Sequence, residues 1–588
     1  MESMAFPYSV SNFRKLVTEN RYYVDRTAYI EKMERLDTPY NFFLRPRRFG
    51  KSLTVSVLEH YYDKQHKGDF ELLFGKYYIG KNPTPLANSY LVLKFDFSGV
   101  ETASLDRAMD SFLLKVKSGV LTMMGRYSTI FTPTDMETIR EQVNPAEVVI
   151  KLQEIMLGKV PVEKLYVLID EYDHFTNEII AFHFSEFAKI VSRNGTVRKF
   201  FEAIKECTGN GIIDRMFVTG VSPITLDSLT SGFNIGTSLS LKASMHDFMG
   251  FTEEETLHLL HMAGVPEADM EGTMADVRSW YNGYLFTDEA DQRLYNPDMV
   301  LYFATNYRER RAYPKNLLDT NMASDYGKMR RMLDVGSREA NYAILEEIIL
   351  QREVAANVTI MFSFERPWSR DDFISLLFYM GLLTVKGAAY GRMIFQIPNH
   401  VIEGLYYNFF QHLLLQRAKL LPDDLRIGDR VVALAADGDV EPLRDALEKV
   451  LKNLDNRDAR HFNEKHVKMA LMSLLVPTGT YSVFSEYPIG QGYADIVLLR
   501  RPPINDPKRQ YVFELKHLKK NDADQLEEVS EEGREQLRRY LSHPLLKKGR
   551  GLYGLPVGSG RVRGEGVGGS AVGRDISAVL CFAPTCLT

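Results

Sequence analysis

A short basic loop near the N-terminus has the residue types that bind phosphate groups. It reads RPRRFGKS and lies between the apolar run NFFL and the helix-like run LTVSVLEHYYD. N–H groups at the start of a helix can bind phosphate oxygens, a lysine can reach the β- and γ-phosphates, and a serine hydroxyl can coordinate magnesium. The loop residues that we predict to contact a nucleotide are Arg47, Arg48, Phe49, Gly50, Lys51 and Ser52.

The loop departs from the general phosphate-binding motif at one position. Arg45 stands where GxxxxGK[ST] has its first glycine, and glycine is what allows the backbone unusual torsions there. The alternative interpretation is therefore a basic turn before an ordinary helix.

A pair of acids follows the apolar run LYVLI. Asp170 and Glu171 end this run, and in a Walker B strand the first acid holds magnesium while the second polarises the attacking water. The alternative is a buried strand whose acids cap the next helix. Both motifs occur in the chain order of a P-loop nucleotide-binding module, which favours the functional interpretation.

A third apolar run, MFVTG, ends near Thr219, whose hydroxyl is a candidate sensor of the γ-phosphate or of the attacking water. The alternative is a threonine that satisfies nearby backbone groups. Arg215, like Arg47 and Arg48, is a further candidate for charge stabilisation during phosphoryl transfer.

Two acids and a lysine near the C-terminus could bind a divalent cation and use it. Asp495 begins the apolar run DIVLL, and Glu514 and Lys516 lie two residues apart in QYVFELK. Alternate residues of a strand share a face, and carboxylates on neighbouring strands ligate magnesium. The cation would lower the pKa of a bound water, and Lys516 would orient the nucleophile or stabilise negative charge. The alternative is solubilising chemistry on an exposed strand edge.

The elements that must position these residues are short apolar runs that alternate with helical patterns from Phe42 to Thr219. This alternation predicts an α/β module with a mostly parallel sheet covered by helices. A helical segment follows from Glu253 to about Met332. Next, SRDDFISLLFYMGLL predicts a helix capped by Ser369, with two strands after it. A winged-helix-like unit and a helical spacer with one hairpin both fit this order.

Beyond His461, the runs YSVFSEY, ADIVLLR and QYVFELK predict strands and are followed by a charged helix. The glycine-rich stretch from Gly551 to Gly573 is predicted to form neither a helix nor a strand. ISAVLCFA predicts one last strand, so the sequence leaves open whether the tail completes a sheet.

The composition is that of an ordinary globular chain. Its 588 residues predict two to four domains. A formal net charge of -5 means that any nucleic-acid contact must use local basic patches. Three cysteines without paired spacing favour a reducing compartment. Since neither a leader pattern nor a membrane-spanning apolar run is present, we expect a cytoplasmic protein with no membrane partner, and a nuclear location would look the same.

The motifs together resemble a known family. RPRRFGKSLTVSVLEHYYD, LIDEYD, FVTGVSPI, DFMGFTEEE, WYNGYLF and YNP are similar to the AAA-ATPase-like family that is commonly joined to a PD-(D/E)XK nuclease domain, between Phe6 and Tyr302. RPRRFGKS is the usual form of the loop in that family, so Arg45 departs only from the general motif. The resemblance makes nucleotide binding the expected role of the loop.

The C-terminal pattern of acids resembles the PD-(D/E)XK nuclease core between His461 and Leu541. The resemblance adds Glu464 as an acidic metal ligand on the first helix. It also adds Gln536 and Tyr540, a QxxxY pair as in the exonuclease-like branch. Glu486 and the glycines before Asp495 fit the family domain as well.

The resemblance implies three domains. Residues 6–310 would form an AAA-ATPase-like P-loop domain, residues 311–455 a helical and winged-helix-like region, and residues 456–588 an α/β restriction-endonuclease-like domain with a glycine-rich tail. The whole chain is then expected to be an ATP-binding, ATP-regulated nuclease with magnesium as cofactor, or manganese at the nuclease site. Its expected partner is nucleic acid, with DNA favoured by resemblance only, and homo-oligomerisation is left open.

Each predicted role falls on particular residues. The predicted catalytic residues are Glu171, Glu514, Lys516, Gln536 and Tyr540. The predicted metal ligands are Ser52, Asp170, Glu464, Asp495 and Glu514, and Asp170 and Thr219 join the loop in the nucleotide site. The main alternative is a nucleotide-dependent switch or assembly protein whose C-terminal domain binds nucleic acid without cutting it. A decayed mobile-element remnant, which would hydrolyse neither ATP nor DNA, is a third interpretation.

Overall fold

The computed structural model of the protein describes most of the chain. The described residues are 4–36, 38–101, 104–160, 162–174, 195–223, 235–318, 333, 335–362, 367–453, 464–501, 504, 506–517, 526–542, 552–554, 557–558 and 580–582.

A five-stranded parallel sheet forms the core of the N-terminal part. Its strands are β1 (Tyr40–Leu44), β2 (Leu91–Asp96), β3 (Leu165–Asp170), β4 (Ile213–Gly220) and β5 (Thr237–Ser238). Their spatial order is β2-β3-β4-β1-β5, and each pairing is parallel. All six residues of β3 are buried, as expected for a strand covered on both faces. The α/β fold predicted from the alternating runs is confirmed.

Helices connect these strands and continue beyond them. Thr252 begins one helix with a capping box, and Gly264 ends it in the left-handed region, which glycine adopts without steric cost. The helices of this part are Phe13–Thr18, Ala28–Glu34, Lys51–Tyr62, Phe70–Phe74, Tyr78–Lys81, Leu105–Arg126, Pro133–Glu141, Pro145–Lys159, Thr196–Gly209, Glu253–Ala263, Glu267–Tyr281 and Pro297–Arg310, with 3-10 helices Lys64–Asp69 and Ala243–Phe248.

The middle region contains the predicted helix and hairpin. Ser369 caps the helix Arg370–Tyr379 through a capping box with Asp372. The hairpin is formed by β7 (Thr384–Ala389) and β8 (Arg392–Gln396). A further helix, Arg338–Gln351, leads into a third strand, β6 (Glu353–Ala356), which pairs with β8. The sequence analysis missed this strand, which has only four residues.

The C-terminal part contains two small sheets. The strands are β9 (Tyr481–Ile489), β10 (Gly492–Arg500), β11 (Gln510–Phe513), β12 (Leu515–His517), β13 (Leu552–Gly554), β14 (Val557–Gly558) and β15 (Leu580–Phe582). Their orders are β13-β11-β10-β9 and β12-β15-β14. The helices are His400–Arg417, Pro422–Leu425, Ile427–Asp437, Glu441–Asn453, Glu464–Leu475 and Leu526–Ser542, with the 3-10 helix Val476–Thr478.

The tail corrects one prediction from composition. The stretch from Gly551 to Gly573 was predicted to form no strand, yet β13 pairs in parallel with β11 and β14 pairs with β15. Edge pairing to an existing strand supplies backbone hydrogen bonds that do not depend on side-chain type, which is why composition was misleading. The last strand, β15, lies within the predicted ISAVLCFA and pairs with β12.

The chain divides into two compact units. One contains residues 1–311 and 318–400, and the other contains residues 312–317 and 401–588. The division into three domains stays a prediction. Among the described residues, no helix is both long enough and apolar enough to cross a membrane.

Candidate functional site

The predicted phosphate loop connects β1 to the helix Lys51–Tyr62. Gly50 has φ +95° and Arg48 has φ +67°, so the chain turns through the left-handed region twice before the helix begins. Glycine adopts this region without strain, whereas arginine does so at a cost. The loop therefore has the strand-loop-helix geometry that places helix N–H groups at a phosphate site.

Lys51 folds back over this loop. Its Nζ donates to the carbonyl oxygens of Arg45 at 3.0 Å and Pro46 at 2.9 Å. Burial lowers the pKa of Lys51, while Glu171 and Asp170 act in the opposite direction. The ammonium group is thus held over the loop, beside the acids at the end of β3.

The two halves of the predicted nucleotide site meet through Ser52 and Asp170. Burial raises the pKa of Asp170 to about 6, with Glu171 and Asp96 acting in the same direction and the adjacent Ser52 hydroxyl acting against it. Asp96 ends β2 and is the register partner of Asp170. A hydroxyl near a carboxylate and a second acid offers the oxygen ligands that magnesium prefers.

Glu171 has an unusual backbone. Its φ is +50°, its N–H donates to Oδ1 of Asp170 at 3.0 Å, and its carboxylate lies 3.2 Å from Nδ1 of His174. The next two residues bind the segment that follows β4. The Tyr172 hydroxyl donates to the Ser222 carbonyl at 2.6 Å. The Asp173 carboxylate accepts from the backbone N–H groups of Val221 and Ser222. The end of the LIDEYD motif therefore holds Glu171 in position.

Thr219 is fully buried, and its hydroxyl donates to the carbonyl of Phe43 in β1 at 2.7 Å. This contact is the local role named as the alternative in the sequence analysis, so sensing of a phosphate stays a prediction. Arg215 lies near the start of β4, among Tyr90, Tyr62 and Tyr166. The phosphate loop follows the opposite ends of these parallel strands, so the candidacy of Arg215 in phosphoryl transfer is wrong.

Arg45, which replaces the first glycine of the general motif, is 1% exposed. Its guanidinium lies 4.3 Å from the ring of Phe43 and 4.0 Å from that of Phe286. It donates to the carbonyls of Ser240 at 2.8 Å and His246 at 3.0 Å. Burial lowers its pKa to about 9. Arg45 is not among the residues with positive φ, so its backbone does not require glycine. Its side chain holds the start of the loop against the carbonyls of Ser240 and His246.

The other family-like motifs also brace the loop. Asn296 of YNP donates to the carbonyl of Arg47 at 3.2 Å and caps the helix Pro297–Arg310. Phe49 packs against the rings of Tyr284 and Phe286 in WYNGYLF, with centroids 5.1 and 5.5 Å away. These two motifs therefore contact the loop at Arg47 and Phe49 and stabilise its conformation.

Two cavities adjoin this site. One, of about 410 Å³, is lined by the loop, Glu171 and apolar groups such as Val24, Phe251 and Leu301. This volume is within the usual range for small-molecule sites. Arg48 lines the same cavity, 3.9 Å from Asp298. The other cavity, of about 540 Å³, opens beside Ser52 and Asp170 and is lined by charged groups.

In the C-terminal part, the antiparallel pair β10–β11 brings the predicted acids together. Ile496 pairs with Phe513, so the next positions, Asp495 and Glu514, face one another at the end of the ladder. Oδ2 of Asp495 accepts the N–H of Leu515 at 2.8 Å. Glu514 is the single residue between β11 and β12, so both carboxylates lie where β11 ends.

Glu514 carries a buried oxygen, Oε2, for which the described residues provide no hydrogen-bond partner. Burial raises the pKa of Glu514 to about 8, and Asp495 adds to this effect. Its other oxygen lies 3.4 Å from Nζ of Lys516. An orphaned carboxylate oxygen beside a second acid is what a divalent cation would satisfy.

Gln536 and Tyr540 continue a chain of hydrogen bonds from Lys516. Nζ of Lys516 donates to Oε1 of Gln536 at 2.9 Å, and Nε2 of Gln536 donates to the hydroxyl of Tyr540 at 2.8 Å. That hydroxyl donates to the carbonyl of Tyr493 at 2.8 Å. The pair therefore holds the lysine and anchors it to β10.

Glu464 lies on the helix Glu464–Leu475, and its pKa is raised by burial and by Asp495. One turn later, Nζ of Lys468 lies 3.2 Å from Oδ1 of Asp495 and is bonded to Glu486. Among the described residues, no three His, Cys, Asp or Glu side chains form a set that could hold a metal ion. The metal-binding roles of Glu464, Asp495 and Glu514 therefore stay predictions.

Sequence reasoning missed Asp96 and Lys468. An acid at the carboxyl end of a parallel strand is a usable signal for Asp96. The signal for Lys468 is its position four residues after Glu464 on a helix, which places both on one face. A lone histidine beside a lysine, such as His517, is expected to face solvent rather than to act as an acid or base, and its side chain lies outside the described residues.

Two family models match separate parts of the chain. Residues 7–230 match a family model described as a predicted AAA-ATPase, and residues 462–553 match the PD-(D/E)XK nuclease superfamily. The chain is also 27% identical over 320 residues to an "Uncharacterized protein in vnfD 5'region" from Azotobacter chroococcum mcd 1, covering 53% of this chain and 54% of that protein. It thus spans about half the length of this curated relative. The chain therefore carries an AAA-ATPase-like domain followed by a domain of the PD-(D/E)XK nuclease superfamily.

Proposed function

We propose that this protein is an ATP-binding, ATP-regulated nuclease that cleaves nucleic acid, with DNA as its substrate, using a divalent cation. The observation that carries the proposal is the buried Glu514 carboxylate oxygen with no described partner, beside Asp495. The position of the Ser52 hydroxyl beside Asp170, in one cavity, supports the nucleotide-binding role of the N-terminal part. DNA is proposed in preference to RNA because of the family resemblance.

In the nucleotide half, the roles follow from charge and position. Lys51 would leave the loop carbonyls to contact the β- and γ-phosphates, where its charge is better matched than by neutral oxygens. Ser52 and Asp170 would hold magnesium, and Glu171 would accept a proton from water. Arg47 and Arg48 would contact phosphate oxygens at the rim of the cavity. The bound magnesium nucleotide supplies the reactive phosphate and the cation.

In the nuclease half, Asp495 and Glu514 would hold a divalent cation, with Glu464 contributing through bound water. The cation, when bound, lowers the pKa of a water and shields the phosphate. Lys516 lies 3.4 Å from Glu514, so it would orient the nucleophile and stabilise the negative charge that develops on the phosphate. Gln536 and Tyr540 would keep the lysine at the cleavage site.

The test uses the full chain with linear and circular DNA, with magnesium or manganese, and with or without ATP. We expect cation-dependent cleavage whose rate changes with ATP. Loss of the circular form would identify internal cutting. Glu514→Gln and Lys516→Met should abolish cleavage, whereas Lys51→Met should remove only its ATP dependence. The exposed Glu528→Gln is the matched control and should cleave like wild type.

The same variants separate the proposal from the switch or assembly function. A protein that binds nucleic acid without cutting it should show ATP-dependent binding that Glu514→Gln leaves unchanged, and no cleavage in any variant. Absence of both cleavage and ATP hydrolysis, in folded protein, would instead fit a decayed remnant. RNA given in parallel tests the choice of DNA.

A further inference from the structure

Lys468 lies inside the carboxylate cluster of the C-terminal part. It is only 9% exposed, and its Nζ donates both to Oδ1 of Asp495, at 3.2 Å, and to Oε1 of Glu486. A buried ammonium group is costly unless it is paired with negative charge. Its two partners differ, because the side chain of Asp495 is 13% exposed and that of Glu486 is 55% exposed. Lys468 thus connects a buried acid to an exposed acid.

The backbone is distorted where Glu486 faces this lysine. Strand β9 pairs regularly with β10, with Tyr487 opposite Ala494 and Ser485 opposite Ile496, but the pair between them, Glu486 and Asp495, is absent from this described ladder. Glu486 has φ +53°, a conformation that non-glycine residues adopt at a cost. Such local strain is typical of functional positions. It sets Glu486 apart from an ordinary surface acid on a strand.

The acids around Lys468 outnumber the lysines, so a divalent cation would be attracted to this cluster. The interacting acids are Glu464, Glu486, Asp495, Glu514 and Glu532, and the interacting cations are Lys468 and Lys516. When all are ionised, negative charge is in excess. Both oxygens of Asp495 have partners, the Leu515 N–H and Lys468. A metal at Asp495 would therefore compete with Lys468.

We propose that Lys468 is a positioning residue that holds Asp495 in the metal-free protein, and that Glu486 retains it when a divalent cation takes over Asp495. This inference rests on the proposed metal-dependent nuclease function. Lys468 is then a counter-ion that keeps the Asp495 carboxylate in place, and Glu486 is its second partner. A lysine that merely stabilised the fold would not change metal affinity in opposite directions through its two acids.

The proposal predicts effects of opposite sign. Lys468→Met removes the competitor, so manganese should bind about tenfold more tightly, since a charge-assisted contact no longer has to be displaced. Glu486→Gln removes the second partner, so manganese should bind several-fold more weakly. The double variant should match Lys468→Met, because Glu486 acts only through the lysine. Lys468→Arg keeps the charge and should stay close to wild type.

The experiment is a titration of the full chain with Mn2+, without nucleotide, followed by the electron paramagnetic resonance signal of free Mn2+. All variants carry Asp170→Asn, which removes the carboxylate ligand proposed for the cation of the nucleotide site, and circular dichroism checks their folding. Weaker or unchanged binding in Lys468→Met, or a double variant weaker than Lys468→Met, would overturn the proposal. Asp495→Asn distinguishes failure of the Lys468 proposal from failure of the proposed nuclease function. If Asp495→Asn binds Mn2+ as tightly as the protein that carries Asp170→Asn alone, the nuclease site is not a metal site and the proposed function fails as well.

Discussion

The side chain of Ser52 lies beside the carboxylate of Asp170, and both residues line one cavity, although strand β4 separates the strands that lead to these two residues. Parallel strands end at the same edge of a sheet, so the loop after β1 and the end of β3 meet there. The sheet therefore assembles the predicted cation site from two segments more than 100 residues apart.

The first prediction concerns this pair. Ser52→Ala and Asp170→Asn should each weaken magnesium-dependent ATP binding about 10- to 150-fold, since a charge-assisted contact is worth about 1.5–3 kcal/mol. The double variant should be no weaker than the more affected single variant, because both residues act on one cation. Calorimetric titration with ATP, with and without magnesium, measures the effect. Ser118→Ala on an exposed helix surface is the control, and additive losses would contradict a shared cation.

The second prediction concerns Arg45. Restoring the glycine of the general motif, Arg45→Gly, should destabilise the protein on the order of 3 kcal/mol, because it removes a large buried side chain. Nucleotide binding should weaken as well, since the guanidinium anchors the loop to the carbonyls of Ser240 and His246. Arg45→Lys should recover part of both losses. Denaturant unfolding and ATP titration measure them, with the exposed Arg35→Ala as control; a stable, tightly binding Arg45→Gly would disprove this role.

The third prediction separates binding from hydrolysis. Glu171→Gln should bind ATP with unchanged affinity and hydrolyse it about 100- to 10,000-fold more slowly, the range of a general base. The replaced side chain keeps its shape, and the φ of +50° at this position is a backbone property. ATP titration and phosphate release measure the two steps. His174→Ala is the matched variant, since His174 contacts Glu171 at 3.2 Å and should have a smaller effect. Equal hydrolysis in Glu171→Gln and wild type would remove Glu171 from the mechanism.

Sequence patterns predicted the parallel sheet and the C-terminal strands well, because both depend on local apolar periodicity. They placed Lys51 on the loop and Asp170 at a strand end, and the residue types implied their chemistry. They could not reveal that the guanidinium of Arg45 would be sandwiched between Phe43 and Phe286, since Phe286 lies far from Arg45 in the chain. Nor could they show Lys468 against Asp495, because the register of β9 and β10 and the helix before them decide that contact together.

The fourth prediction is a pH dependence of stability. Burial raises the pKa of Glu514 to about 8 from the ordinary 4.5, so between these values the unfolded chain loses a proton that the folded chain keeps. Stability contributed by this group is therefore full below pH 4.5 and is lost as the pH rises to about 8. Relative to Glu514→Gln, metal-free wild type should become progressively less stable over this interval. Thermal unfolding of both proteins, without metal, measures the difference.

Saturating Mn2+ should reverse this order, because the ionised Glu514 then has a partner and only wild type gains binding energy. The exposed Glu528→Gln should show no pH-dependent difference from wild type. A constant difference between wild type and Glu514→Gln at every pH would contradict the raised pKa.

The last prediction concerns the hydrogen-bond chain from Lys516 to β10. Tyr540→Phe removes the hydroxyl that joins Gln536 to the Tyr493 carbonyl, so the lysine loses its fixed orientation. DNA cleavage should fall about 10- to 100-fold, as for residues that orient metal-site groups, while Mn2+ affinity stays unchanged. Gln536→Leu should give a similar loss, and the double variant should be no worse, because one chain is broken either way. Tyr493→Phe is the control, since its side chain is 62% exposed and its carbonyl is retained. Normal cleavage by Tyr540→Phe would show that the lysine is oriented without this chain.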